Sequence, residues 1–189
     1  MRLRPLTQRI AGDERPKQFC PILGGETLLD QTRRRTGLAI PSDRTLVVLT
    51  RAHASFYGPL LDTIHASCAV IQPENRGTAP AIFYALLRLA ATAPEAPVAI
   101  FPSDHYISND GTFMAHVDAA FTAVCGRPDP VVLLGVAPDG PEVQYGWIEP
   151  AGPITAEPGT LSRVRSFWEN PPGSMPACST RRDACETAS

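Results

Sequence analysis

Four short apolar runs, separated by stretches with helical spacing, constrain this chain more than any other feature of its sequence. They are Thr-Leu-Val-Val-Leu-Thr at 45–50, Cys-Ala-Val-Ile at 68–71, Val-Ala-Ile-Phe at 98–101 and Val-Val-Leu-Leu-Gly-Val at 131–136. Each is rich in β-branched residues and apolar at consecutive positions, the pattern of a short strand buried on both faces. Between the runs, Leu28, Leu29 and Thr32 followed by Gly37 fit one helix, and residues 79–93 are rich in Ala and Leu. Phe113, Val117, Ala120, Phe121 and Val124 make an apolar stripe of a further helix. Strand and helix alternate, which predicts right-handed βαβ crossovers and an α/β fold: an open, mostly parallel sheet with helices on both faces.

Composition narrows the class. At 189 residues, 43% hydrophobic and 19% charged, the chain is long enough for one well-buried domain. A formal net charge of -2, with both signs interspersed, offers no concentrated positive patch for a nucleic-acid backbone. No apolar run approaches the ~20 residues needed to span a bilayer. The basic start, Met1 to Arg9, lacks a following apolar stretch, so a cytoplasmic address follows by default. Cys20, Cys68, Cys125, Cys178 and Cys185 form an odd set without CxxC spacing, which argues against a disulfide framework or structural zinc. The first three read as small buried hydrophobes.

In open α/β sheets, ligands bind in the crevice beyond the carboxyl ends of the strands. Two segments stand there: Gln-Pro-Glu-Asn-Arg-Gly-Thr-Ala-Pro-Ala at 72–81 and Pro-Ser-Asp-His at 102–105. From Pro138 onward, Gly, Pro and short apolar pieces at 145–148 and 164–168 read as further strands and loops walling the site. Residues 171–189 carry almost no large apolar side chain and read as a disordered or out-of-frame tail following a domain at 1–170.

Together these segments resemble the sugar-1-phosphate nucleotidylyltransferases, most closely the mannose-1-phosphate guanylyltransferase kind. Arg2-Leu3-Arg4-Pro5-Leu6-Thr7 with Arg15-Pro16-Lys17-Gln18-Phe19 is similar to that family's first signature. Residues 73–82 are similar to its Glu-Pro-x-x-Arg-Asn-Thr-Ala-Pro-Ala-Ile segment, 102–105 to its Pro-Ser-Asp-His, and Tyr145-Gly146-Trp147-Ile148 to its Gly-Tyr-Gly-Tyr-Ile. Four collinear motifs are far more specific than any one of them.

The resemblance implies an incomplete Rossmann-like sheet of the nucleotide-diphospho-sugar transferase type. It also implies transfer of a nucleotidyl group from GTP to mannose 1-phosphate, with Mg²⁺ or another divalent cation as cofactor. Such chemistry is catalysed by holding reactants in line and neutralising phosphate charge. Arg2 and Lys17 match the family's basic residues for the triphosphate and the leaving pyrophosphate. Asp104, at a strand end, would hold the metal, although a turn or cap is the commoner use of such an Asp. Glu74, Asn75, Arg76, Thr78 and Ser103 would face the nucleotide, with Thr78 also reading as the N-cap of the next helix. Tyr145, Gly146, Glu149 and Glu169 are candidates for the sugar side, Gly146 because a missing side chain lets the backbone approach a ligand. Ser103 and His105, being nearly adjacent, lack the geometry of a hydrolytic triad. A homo-oligomer is compatible with the sequence.

The departures from the family are specific. Gln72 stands where the family usually has Glu, Gly77 where it has Asn, and Asn170 where it has the Lys of Glu-Lys-Pro. Residues 8–14 lengthen the first signature, and the Gly-rich phosphate loop and later metal carboxylate have no counterparts. The expectation is a chain truncated at both ends, with reduced or absent activity. The same chemistry on another base or sugar stays open, as does a non-catalytic nucleotide-binding remnant or a subunit that assembles with a complete copy.

Overall fold

The computed structural model describes residues 4–127, 129–138, 146–154 and 161–169, in two compact units, one up to Val132 and one from Leu133 onward. The first holds α1 (Arg4–Ala11), α2 (Leu28–Thr36), β1 (Val47–Thr50), α3 (Ala54–Leu61), β2 (Ala69–Gln72), α4 (Thr78–Ala90) and α5 (Asp110–Gly126). β1 and β2 run parallel, in register from Val47 opposite Ala69 to Thr50 opposite Gln72. A parallel pair requires a crossover, and α3 supplies it. The alternation of strand and helix thus yields the α/β class.

Local chemistry sets the helix ends. Thr27 caps α2: its Oγ1 accepts from the Asp30 amide at 3.1 Å and donates to Asp30 Oδ2 at 2.6 Å. Arg33, Arg34 and Arg35 occupy the last turn, at the negative end of the helix dipole. Asn109 caps α5 by accepting from the Thr112 amide at 2.9 Å. At α4 the capping residue is Gly77 rather than Thr78, and no side chain closes the cap. Gly77 has φ +91° and ψ −178°, a conformation open almost solely to glycine, so the chain turns into the helix one residue earlier than a Thr cap implies.

The core is built on one face of β1. Phe19, Leu29, Val47, Leu49 and Tyr57 form a buried cluster, with Phe56, Leu60, Leu61 and Ile64 packed against it. Val47 and Leu49 are buried on one face of the pair and Val70 and Gln72 on the other, so both faces are covered in part, with Val48 and Ile71 exposed on opposite faces and no residue of α4 buried. The runs at 98–101 and 131–136 enter no ladder among the described residues; Val131 is 87% and Val136 89% exposed. Their composition is that of strands, but strand formation depends on a paired, packed neighbour more than on intrinsic preference. Cys20 and Cys68 are buried as expected, whereas Cys125 is exposed on the last turn of α5.

In the second unit, β3 (Trp147–Pro153) and β4 (Ser162–Trp168) pair antiparallel, with Trp147 opposite Trp168 and register shifts after Glu149. The strands expected at 145–148 and 164–168 overlap β3 from Trp147 and β4, Tyr145 lying outside the described residues. The expected tail at 171–189 lies outside the described residues. Among the described residues, no helix is long and apolar enough to cross a membrane.

Phe19 is 6% exposed at the centre of the cluster. Phe19→Ala is expected to lower unfolding free energy by about 3–5 kcal/mol, read from urea denaturation followed by circular dichroism. A loss below about 1 kcal/mol would mean that the cluster does not depend on this ring.

Candidate functional site

Lys17 opens a short 3-10 turn, Lys17–Phe19, preceded by buried Pro16. The Phe19 amide donates to Pro16 O at 2.9 Å and the Cys20 amide to Lys17 O at 3.1 Å, closing the turn. The Phe19 ring lies 6.1 Å from that of His53 and 6.2 Å from that of Phe56, centre to centre. Both follow the carboxyl end of β1, so the Lys17 turn stands at that end of the sheet. Burial pushes the neighbouring Cys20 thiol up from its ordinary titration range.

Lys17 Nζ meets Asp104 Oδ2 at 2.9 Å, each side chain about a third exposed. The Pro-Ser-Asp-His segment is thereby brought to the same edge. His105 Nε2 lies 3.8 Å from the other Asp104 oxygen, and Ser103 is half-buried beside it. Behind this segment, the Arg35 guanidinium lies over the Phe113 ring at 5.6 Å, and Phe113 packs against Phe101 at 6.2 Å. Buried Arg35 donates from Nε to Asp110 Oδ1 at 2.6 Å, and Arg34 from Nη1 to Asp110 Oδ2 at 2.8 Å.

The loop at 73–77 leaves the carboxyl end of β2, whose last residue Gln72 is in register with Thr50 of β1. It therefore shares the edge with Lys17 and Asp104. Within it, Arg76 donates from Nε and Nη2 to Glu74 Oε2 at 3.2 and 3.1 Å, and Asn75 Oδ1 accepts from the Gly77 amide at 3.0 Å. Glu74, Asn75, Arg76 and Thr78 are all exposed, Thr78 as the first residue of α4.

Of the sugar-side candidates, Gly146 and Glu169 lie together in the second unit. A Cβ on Gly146 would sit 2.8 Å from Phe167 Cζ and 3.3 Å from Glu169 Oε2. The missing side chain makes room for the Phe167 ring. Glu149 accepts from Arg165 Nη1 across the β3–β4 pair at 3.0 Å. Arg2 and Tyr145 lie outside the described residues.

Sequence reasoning missed the arginine–carboxylate pairs that support these loops, Arg35 with Asp110 and Arg15 with Asp13. Nothing local marks partners 75 positions apart such as Arg35 and Asp110. One signal for Lys17 was available: it is the single lysine of a chain otherwise basic only through arginine.

A nucleotidyl transferase family profile matches residues 1–180, and the chain belongs to the nucleotidyl transferase family. It is 30% identical over 175 residues to the alginate biosynthesis protein AlgA of Pseudomonas aeruginosa, covering 90% of this chain and 34% of that protein. With a mannose-1-phosphate guanylyltransferase of Escherichia coli, identity is 27% over 173 residues, covering 90% of this chain and 35% of the relative. A solved structure of mannose-1-phosphate geranyltransferase from Thermus thermophilus matches with a TM-score of 0.73 at 28% identity, over 84% of this chain and 44% of that one. The chain spans about a third of the length of the curated relatives it matches.

Burial pushes the Asp110 carboxyl upward, but hydrogen bonds and charge from Arg35, then Arg34, outweigh it and hold the group below its ordinary value of 3.8. A lowered folded value contributes stability above the unfolded value, lost as pH falls through the folded one. Asp110→Asn is expected to destabilise the chain by about 1–3 kcal/mol at pH 7, with the gap to the parent narrowing below about pH 4 in thermal melts. A gap that stays constant into acid would refute the pairing.

Proposed function

We propose that this chain serves nucleotidyl transfer onto a sugar 1-phosphate, forming GDP-mannose and pyrophosphate from GTP and α-D-mannose 1-phosphate. The observation that carries this reading is the meeting of Lys17 and Asp104 at 2.9 Å, at the edge of the parallel pair where ligands of such sheets bind. A sugar-phosphate oxygen attacks the α-phosphorus, the bond from that phosphorus to the bridging oxygen breaks, and pyrophosphate leaves with the electron pair. Negative charge accumulates on the departing side. Lys17 supplies a compact positive charge there, a preorganised stabilisation realised in the transition state.

Asp104 suits a hard divalent cation. It offers carboxylate oxygens and is partly exposed, with Lys17 Nζ 2.9 Å from one oxygen and His105 Nε2 3.8 Å from the other. Mg²⁺ is commonly held by one or two carboxylates, with waters and phosphate oxygens completing its shell. When bound it neutralises phosphate charge. Glu74, Asn75, Arg76, Thr78 and Ser103 serve the base and ribose. The choice of guanine and mannose is supported by the names of the relatives. A cytoplasmic, reducing setting fits the free thiols Cys20, Cys68 and Cys125.

Pyrophosphate release from GTP, mannose 1-phosphate and Mg²⁺ tests the reading. Lys17→Gln is expected to lower kcat/KM by about a hundredfold or more, the scale for losing one preorganised charge-stabilising group. Release at the parental rate would remove Lys17 from the chemistry. GTP binding by calorimetry with no pyrophosphate formed would return the chain to a nucleotide-binding role without catalysis.

A further inference from the structure

We infer that Asp13 and Arg15 form a clamp that positions Lys17, the carboxylate gripping the guanidinium with both oxygens and the guanidinium closing the turn that carries the ammonium. Asp13 Oδ1 accepts from Arg15 Nε at 2.7 Å and Oδ2 from Nη2 at 2.8 Å, while the Arg15 amide also donates to Oδ1 at 3.1 Å. The remaining arm, Nη1, donates to Phe19 O at 3.4 Å, and the guanidinium carbon stands 5.9 Å from the centre of the Phe56 ring. One planar fork thus spans from the segment before the turn to its last residue.

Geometry explains why this bears on Lys17 in particular. The turn runs from Pro16, whose ring fixes φ at −60°, to Phe19, whose ring is in the core. Lys17 sits between these fixed points, and the Phe19 carbonyl held by Arg15 belongs to the peptide that ends the turn. Asp13 comes from the lengthened segment at 8–14, where Gly12 at φ +79° ends α1 and redirects the chain. The hydrogen bond from Arg15 holds the Asp13 carboxyl below its ordinary range, so the pair is charged at neutral pH. Both side chains are partly exposed, and such a pair adds little to global stability. Its effect lies in direction: it aims the turn, and Lys17 Nζ reaches Asp104. Only arginine offers enough donors in one plane to hold a carboxylate and a carbonyl together.

The clamp is a matter of geometry. That it serves catalysis rests on the proposed function, and the test keeps the two apart. Because Lys17 is the only lysine, amine acetylation followed by peptide mass spectrometry reports its environment in the whole chain without any need for activity. Asp13→Asn and Arg15→Gln are expected to raise the acetylation rate of Lys17 by up to about fivefold, the factor carried by an exposed ion pair, with Asp104→Asn setting the ceiling. Buried Cys68, away from the turn, should stay equally protected from thiol reagents, which separates released aim from general unfolding. If Arg15→Gln unfolds, the milder Asp13→Asn decides. Parental acetylation rates with Cys68 protected would overturn the clamp, whether or not the chain releases pyrophosphate. Raised rates in a chain that releases none would uphold the clamp and sink the catalytic reading.

Discussion

Burial of Phe19 is the constraint on which the site depends. Its ring joins Leu29, Val47, Leu49 and Tyr57 in the core, two residues beyond the ammonium of Lys17. Full burial of such a ring contributes about 1.5–3 kcal/mol, whereas a pair as exposed as Lys17 with Asp104 contributes about 1 kcal/mol or less. The comparison decides the order of cause. Packing fixes where the Lys17 turn stands, and the ion pair follows from that placement.

Asp104 is supported by the same logic from the other side. Its segment follows Phe101, which packs on Phe113, which lies under the guanidinium of Arg35. Arg35 is 2% exposed, so its charge must be paired, and Asp110 at the start of α5 supplies the partner. Each member of the Lys17–Asp104 pair is therefore backed by an arginine lying over an aromatic ring. The two charges are held separately and attract each other weakly through partial exposure. A pair of that kind separates at little cost and without disturbing the core.

The sequence made some of this legible and hid the rest for identifiable reasons. Helices α2, α4 and α5 were visible because caps and periodicity are local, and β1 and β2 because their apolar runs find each other across α3. The runs at 98–101 and 131–136 have the same composition, yet neither finds a ladder among the described residues, since composition states what a strand is made of and not what it pairs with. The convergence of Lys17 and Asp104 accords with the collinear motifs and not with strand-end geometry, since the run before Asp104 enters no ladder among the described residues and Lys17 follows no strand. Asp110 was not legible as the partner of Arg34 and Arg35, because contact across 76 and 75 positions leaves no periodic trace.

The departure at Gly77 shows how a substitution can act through the backbone. At φ +91° and ψ −178°, a residue with a Cβ carries strain of about 1–3 kcal/mol, although no neighbouring atom stands within 4 Å of where that Cβ would be. The obstacle is conformational and not steric crowding by the fold. An Asn placed there would have to re-route the loop, changing the turn in which Asn75 accepts the Gly77 amide and shifting the first residue of α4. The shape of this loop is therefore set by the Gly77 dihedral angle, with Glu74 and Arg76 paired outward beside it.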